Sequence, residues 1–229
     1  MLNLLPLMRP PSSLSASESS QRLYRILTIQ SAGLETPIPP STSPSHPHGY
    51  DFGGHGRTDI AYRRYVSSMI TLTLSMLAEK HPHVSFVHAY PGWVPSGVTR
   101  EANVGFAWVA SVLFMLDRWL GGGVLCTLVE EAGERLLYAT TGRAFGAREG
   151  QGPVDTNEDV DVHEVEMAVG LDGRRGSGVY SVNGKQESTG DKVIKVIHDL
   201  KQEGVDKKLW QHVEDVFVSV TGSTSLSCD

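Results

Sequence analysis

The sequence predicts an α/β fold with a mostly parallel sheet and flanking helices, and three segments carry that prediction. Residues 22–30 alternate apolar and polar side chains and run into Ser31-Ala32-Gly33, the pattern of a strand ending in a turn. Residues 59–79 then place apolar side chains at helical spacing. Residues 84–90 form a second strand-like run, stopped by Pro91-Gly92. A strand, a helix and a strand of these lengths make a crossover unit, and crossovers join parallel strands.

The remaining elements follow in order. In the helix over residues 59–79, Asp59 can cap the first turn and Lys80-His81-Pro82 closes the last. Residues 104–120 are the most apolar stretch and read as a helix, followed by a second helix over residues 127–134. Residues 135–140 fit either a strand or a helix. Over residues 165–182, the glycines of Gly170-Leu171-Asp172-Gly173 and Gly176-Ser177-Gly178 predict a short hairpin. Residues 191–218 read as one or two amphipathic helices with a break near Gly204. Residues 35–56, loaded with Pro, Ser, His and Gly, and residues 146–161, Gly-rich and then acidic, are expected to be long flexible loops. The apolar segments beside them are too short to fold separately, so residues 1–229 are expected to form a single partial domain. No internal repeat is found.

Composition narrows the classes of function. The chain has 229 residues, enough for a real core, and Lys+Arg at 20 against Asp+Glu at 26 gives a net charge of −6. Such a chain has no global field for phosphate backbones, so nucleic acid is not an expected partner. The two cysteines, Cys126 and Cys228, exclude a disulfide framework and any Cys-rich zinc module and fit a reducing, cytoplasmic location. The apolar start lacks a basic segment and is interrupted by Pro6, unlike a secretory signal. The longest apolar run, residues 104–116, stops at Asp117-Arg118, short of the roughly 20 residues a spanning helix needs, so no stable membrane span is expected. His46, His48 and His55 lie in the Pro/Gly loop, while His81, His83 and His88 surround a strand start. With no helical His-x-x-x-His and no Cys pair, no metal site is expected.

Several segments carry a family likeness. A strand ending in Ile29-Gln30-Ser31-Ala32-Gly33, a long helix, and a strand ending in Ala89-Tyr90-Pro91-Gly92-Trp93-Val94-Pro95-Ser96-Gly97 resemble the second half of a short-chain dehydrogenase/reductase. Residues His81-Pro82-His83-Val84-Ser85-Phe86-Val87-His88, Glu130-Glu131-Ala132-Gly133-Glu134-Arg135 and Gly173-Arg174-Arg175-Gly176-Ser177-Gly178-Val179-Tyr180 resemble a fungal subgroup of that family, whose genes often accompany specialised-metabolite pathways. The likeness covers nearly the whole chain. It implies an incomplete Rossmann-type fold, the C-terminal half, with the sequence beginning inside the helix before the family's fifth strand. It further implies NAD(P)-dependent hydride transfer to or from a carbonyl or alcohol of a small-molecule substrate.

The family receives the cofactor pyrophosphate on a Gly-rich turn at the first βα junction, and no such turn opens this chain. Gly173-x-x-Gly176-x-Gly178 does not replace it, because its glycines come late and in the wrong order, as turn chemistry does. By resemblance, Ser31 matches the serine that holds the substrate oxygen. The family's tyrosine slot falls near Ala61 and its lysine slot near Tyr65, which leaves Tyr62 or Tyr65 nearest the acid position. No tyrosine in the chain has a lysine four residues later, the spacing that puts both on one helix face. Pro91, Gly92 and Ser96 fall where the family meets the nicotinamide. Taken without the family, Ser31 is equally a strand-end hydroxyl satisfying a turn, Tyr62 and Tyr65 are half-buried helix residues, and Ser96 is a cap or turn residue. The alternative is a non-catalytic pseudo-reductase acting as an interaction or scaffold subunit, or a truncated gene model. Residues 62–78 would then offer a pairing surface and residues 25–30 an exposed edge, so a homo-oligomer or a partner subunit is expected.

Overall fold

The computed structural model describes residues 5–8, 24–40, 50, 59–94, 104–119, 126–149 and 166–222. Three strands, β1 (Arg25–Ile29), β2 (Ser85–Ala89) and β3 (Val179–Val182), form a parallel sheet in the order β1-β2-β3. Leu27 lies opposite Val87, and Val87 opposite Tyr180. Helix α1 (Asp59–Lys80) connects β1 to β2, while α2 (Val104–Trp119) and α3 (Val129–Thr141) lie between β2 and β3 in sequence. Helices α4 (Asp191–Gln202) and α5 (Val205–Thr221) follow, separated at Gly204, whose φ of 70° ends the first and opens the second. This is an α/β sheet flanked by helices, a partial Rossmann-like fold.

Every residue of β2 is buried: Phe86, Val87 and Ala89 are apolar, and the polar Ser85 and His88 find partners inside the fold. Alternation along the strands then separates two cores. On one face Phe86 and Val179 pack with Leu72 and Leu77 of α1, Val193 and Ile197 of α4, and Leu209 of α5. On the other, Val87, Ala89, Tyr180 and Val182 pack with Ala139 of α3 and with Phe145. Ile38 and Tyr50, from the Pro-rich stretch between β1 and α1, also enter the first core.

One segment the sequence left open is settled, and another differs from its expectation. Residues 135–140, which fit either a strand or a helix, are helical and continue a single α3 that starts at Val129. Ala132 and Ala139 face inward two turns apart, and the helix end is held from outside. The Arg25 guanidinium on β1 donates to the carbonyls of Ala139 (2.9 Å) and Thr140 (2.8 Å) and to that of Phe145. A cation at a helix C-terminus satisfies carbonyls that the helix itself leaves unpaired. Over residues 165–182 the predicted hairpin is only a tight turn. Val169 and Arg175 form an isolated antiparallel bridge, and Val179–Val182 leaves it to pair in parallel with β2. Glycine spacing reveals a turn but carries no information about a strand's distant partner. Among the described residues no helix is long and apolar enough to cross a membrane.

Candidate functional site

Parallel strands bring the segments that follow them to one edge, and ligands of open α/β sheets bind at that carboxyl edge. Ser31 comes directly after β1. Gln30 N–H donates to the Ala89 carbonyl at 2.9 Å, extending the β1–β2 pairing to the residue before Ser31. The chain then turns, with Leu34 N–H on the Ser31 carbonyl at 3.2 Å. Helix α1 grips this turn through hydroxyls. Ser67 Oγ donates to the Ser31 carbonyl at 2.6 Å, and Ser68 Oγ accepts from Thr36 N–H at 2.8 Å and donates to the Thr36 carbonyl at 2.6 Å. Tyr65 is half-buried, less than one turn before Ser67 and Ser68. Four residues beyond Tyr65 stands Met69, packed against the core, so no cation occupies that spacing. Tyr62 belongs to the first turn of α1, and its side chain lies outside the described residues, as does Ser96.

Pro91 and Gly92 are half-buried just beyond β2, where Tyr90 N–H donates to the Val182 carbonyl at 3.0 Å. Gly92 has φ 88°, and a Cβ there would fall 2.0 Å from Thr127 Oγ1 and 3.0 Å from Thr127 Cβ. Internal packing therefore already requires glycine at this position. Tyr90 ends the strand as expected but was not singled out as a site residue. Burial raises its hydroxyl pKa, and the positive charge of Arg63 on α1 opposes that rise.

Sequence reasoning also missed a buried polar cluster beneath α1. Glu35 is fully buried although it follows the turn into a Pro-rich stretch. Its Oε1 accepts hydroxyl hydrogen bonds from Thr71 of α1 (2.9 Å) and Ser181 of β3 (3.0 Å) and lies 3.5 Å from Nδ1 of His88 on β2. Thr71 Oγ1 is also 2.8 Å from His88 Nδ1. Burial, the largest single influence, would raise the Glu35 pKa, but hydrogen bonding and attraction to His88, the Glu35 amide and Thr71 together outweigh it, and the carboxyl is held below its ordinary value. The Thr71 hydroxyl donates to the Glu35 carboxyl oxygen, and its oxygen also stands against His88 Nδ1. The available signal was on α1, where Ser67, Thr71 and Ser75 recur every four residues, a hydroxyl stripe turned to the sheet.

Fit to a dinucleotide differs along the edge. Ser31 and Pro91-Gly92 stand at the ends of adjacent strands, where a nicotinamide could lie. The Gly173-to-Gly178 loop precedes β3 and so sits at the opposite edge, and its amides are engaged within the fold: Gly173 N–H on Gly170 (3.0 Å), Gly176 N–H on Ala168 (3.2 Å) and Gly178 N–H on the Tyr180 hydroxyl (3.4 Å). Among the described residues, the turns that follow the three strands, Ser31-Ala32-Gly33, Pro91-Gly92-Trp93 and Asn183-Gly184-Lys185, each hold a single glycine, so none is a glycine-rich pyrophosphate turn. Also among them, no group of three or more His, Cys, Asp or Glu residues is arranged to hold a metal.

Comparison with known proteins gives distant relatives. No family model matches the chain. It is 26% identical over 214 residues to Oxidoreductase AN1596 of Emericella nidulans, a match covering 93% of this chain and 56% of that protein. It is 24% identical over 171 residues to Oxidoreductase andH of Emericella variicolor, covering 73% and 47%. It is also 24% identical over 197 residues to the NmrA-like family domain-containing oxidoreductase notO of an Aspergillus species, covering 85% and 49%. The chain thus spans about half the length of the curated relatives it matches, and its similarity is to fungal oxidoreductases at low identity.

Proposed function

We propose that the chain is the substrate-side half of a nucleotide-dependent oxidoreductase of the short-chain dehydrogenase/reductase type, acting in the cytoplasm on a carbonyl or alcohol of a small specialised metabolite. The observation that carries this reading is the carboxyl edge, where Ser31 and Pro91-Gly92 end adjacent parallel strands beside the start of α1. The oxidoreductase names of the distant relatives support it. NAD(P), when bound, would supply or accept the hydride, with Pro91, Gly92 and Ser96 along its nicotinamide end. Ser31 orients the substrate oxygen by a hydrogen bond from its hydroxyl, while its carbonyl is already engaged by Ser67. Tyr62 or Tyr65 exchanges the proton with that oxygen. Val66 and Met69 stand four residues after them, so neither tyrosine has the family's lysine to lower its pKa. Ser31→Ala, Tyr62→Phe and Tyr65→Phe test the assignment through turnover of a carbonyl panel with NADPH. Hydroxyls aimed at a developing alkoxide are worth about 10²-fold or more in rate, and unchanged turnover in a variant removes that residue from the mechanism.

A second reading, an interaction subunit that is a homo-oligomer or pairs with a partner, is favoured by a different observation. Among the described residues β1 has a strand neighbour on one side only, its Ile29 is exposed, and Trp108, Met115 and Trp119 form an exposed apolar stripe on α2. Free strand edges and large apolar patches invite pairing. Light scattering on the eluting protein decides: self-association supports this reading, and a monomer with cofactor-dependent turnover defeats it.

A further inference from the structure

The residues that tie the Ser31 turn to the rest of the fold form two layers. The outer layer is the pair of α1 hydroxyls, Ser67 on the Ser31 carbonyl and Ser68 on Thr36. The inner layer is Glu35, four residues after Ser31. It is the one residue of this turn whose side chain reaches three elements at once: Thr71 on α1, Ser181 on β3 and, at 3.5 Å, His88 on β2. The turn also rests on the segment after β3, since a Cβ on Gly33 would come within 3.2 Å of Thr189 Cγ2.

A fully buried carboxylate is costly unless several donors meet it, and leaving those donors unpaired costs more than the pairing contributes. The Pro-rich loop itself does not call for such a group; the buried hydroxyls of Thr71 and Ser181 do, since an apolar residue at position 35 would leave them short of an acceptor. What a carboxylate adds is direction. Oε1 fixes one point from which the hydroxyls of α1 and β3 are both held, and the turn between that point and β1 is only a few residues long.

From this geometry we infer that Glu35 is a positioning residue for Ser31, fastening the turn after β1 to α1, β2 and β3 so that the Ser31 hydroxyl is set at the carboxyl edge. The role of Ser31 in turnover rests on the oxidoreductase reading above, whereas the fastening itself does not. Glu35 touches no reacting atom and acts through the backbone of residues 31–36. Thr71 and Ser181 serve as its anchors, and His88 stands within reach of both Thr71 and Glu35.

Hydrogen exchange on the full chain tests this, with the amides of Leu34 and Thr36 as reporters of the turn and those of Phe86 and Tyr90, bonded to Gly178 and Val182, as reporters of the sheet. Glu35→Ala is expected to raise exchange at Leu34 and Thr36 about tenfold or more above any change at Phe86 and Tyr90, a local opening of the kind native proteins show in their least stable units. Glu35→Gln keeps an oxygen acceptor for both hydroxyls and is expected to restore most of that protection. Ser181→Ala, a milder change, replaces Glu35→Ala if the latter does not fold, and is expected to loosen the same two amides. Equal exchange at all four amides in Glu35→Ala or Ser181→Ala, whether unchanged or uniformly raised, overturns the proposal. In protein that turns over, Glu35→Ala is expected to lower kcat with little change in KM and to have no further effect on a Ser31→Ala background, while a full additional loss on that background separates Glu35 from Ser31 and overturns the link. Absence of turnover counts against the oxidoreductase reading alone, since exchange still decides the fastening.

Discussion

Gly92→Ala separates two reasons for having a glycine after β2. On the oxidoreductase reading proposed above the glycine would serve the cofactor, but the structure gives an internal reason. An alanine at φ 88° pays the left-handed penalty of about 1–2 kcal/mol. Its Cβ would also meet Thr127 Oγ1 at 2.0 Å and Thr127 Cβ at 3.0 Å. Rotating Thr127 relieves the first contact but not the second, because Cβ does not move with χ1, so a backbone shift costing about 1–3 kcal/mol is required. The two contributions together are about 2–5 kcal/mol, a large part of the roughly 5–15 kcal/mol that holds a domain folded. Urea unfolding of wild type, Gly92→Ala and Gly92→Ala/Thr127→Gly measures both. Removing the Thr127 side chain is expected to recover the steric part and leave about 1–2 kcal/mol of backbone strain. A Gly92→Ala protein within about 0.5 kcal/mol of wild type would refute the packing explanation. If that variant had also lost cofactor affinity, the glycine would belong to the cofactor instead.

Three further outcomes are expected. Arg25→Met should destabilise the chain by roughly 3 kcal/mol in the same unfolding assay, because it strips a charged donor from the Ala139, Thr140 and Phe145 carbonyls; a loss under about 1 kcal/mol would show that solvent caps α3 equally well. Burial pushes the Tyr180 hydroxyl up to about 12, so the folded state resists ionisation that the unfolded chain undergoes from about pH 10. Tyr180 stability is then present below pH 10 and falls by about 2–3 kcal/mol as the pH rises through the folded value, and alkaline unfolding of Tyr180→Phe should lack that slope; identical pH dependence in the two proteins contradicts it. NADPH should bind the 229-residue chain more weakly than low-micromolar, given that the turn after β1, Ser31-Ala32-Gly33-Leu34, is not the glycine-rich turn that receives a pyrophosphate; calorimetry returning a low-micromolar Kd would reverse that expectation.

Sequence periodicity located the βαβ unit because β1, α1 and β2 each bury a face whose spacing is written locally, and Gly204 marked its helix break for the same reason. Residues 135–140 were ambiguous because the interaction that stops α3 comes from Arg25, more than a hundred positions away. The parallel pairing of Val179–Val182 was hidden likewise, since glycine turns specify a reversal and not the strand that receives it. Ser31 and Pro91-Gly92 were legible as the residues that follow strands, which is where the fold has them. Glu35 was passed over because one acidic residue in a Pro-rich loop looks solvated, and only the fold places Thr71, His88 and Ser181 around it. The hydroxyl stripe on α1 was the one local hint, as a helix seldom turns serine and threonine to a core without something for them to bond.

The oxidoreductase reading is tested most directly by steady-state turnover of a carbonyl and alcohol panel at saturating NADPH or NADP⁺, wild type beside Ser31→Ala, with unfolding curves showing both proteins equally folded. The expected result is cofactor-dependent turnover by wild type that falls about 10²-fold or more in the variant. Turnover that is equal in the two proteins, or absent from a folded wild type across the panel, would contradict it.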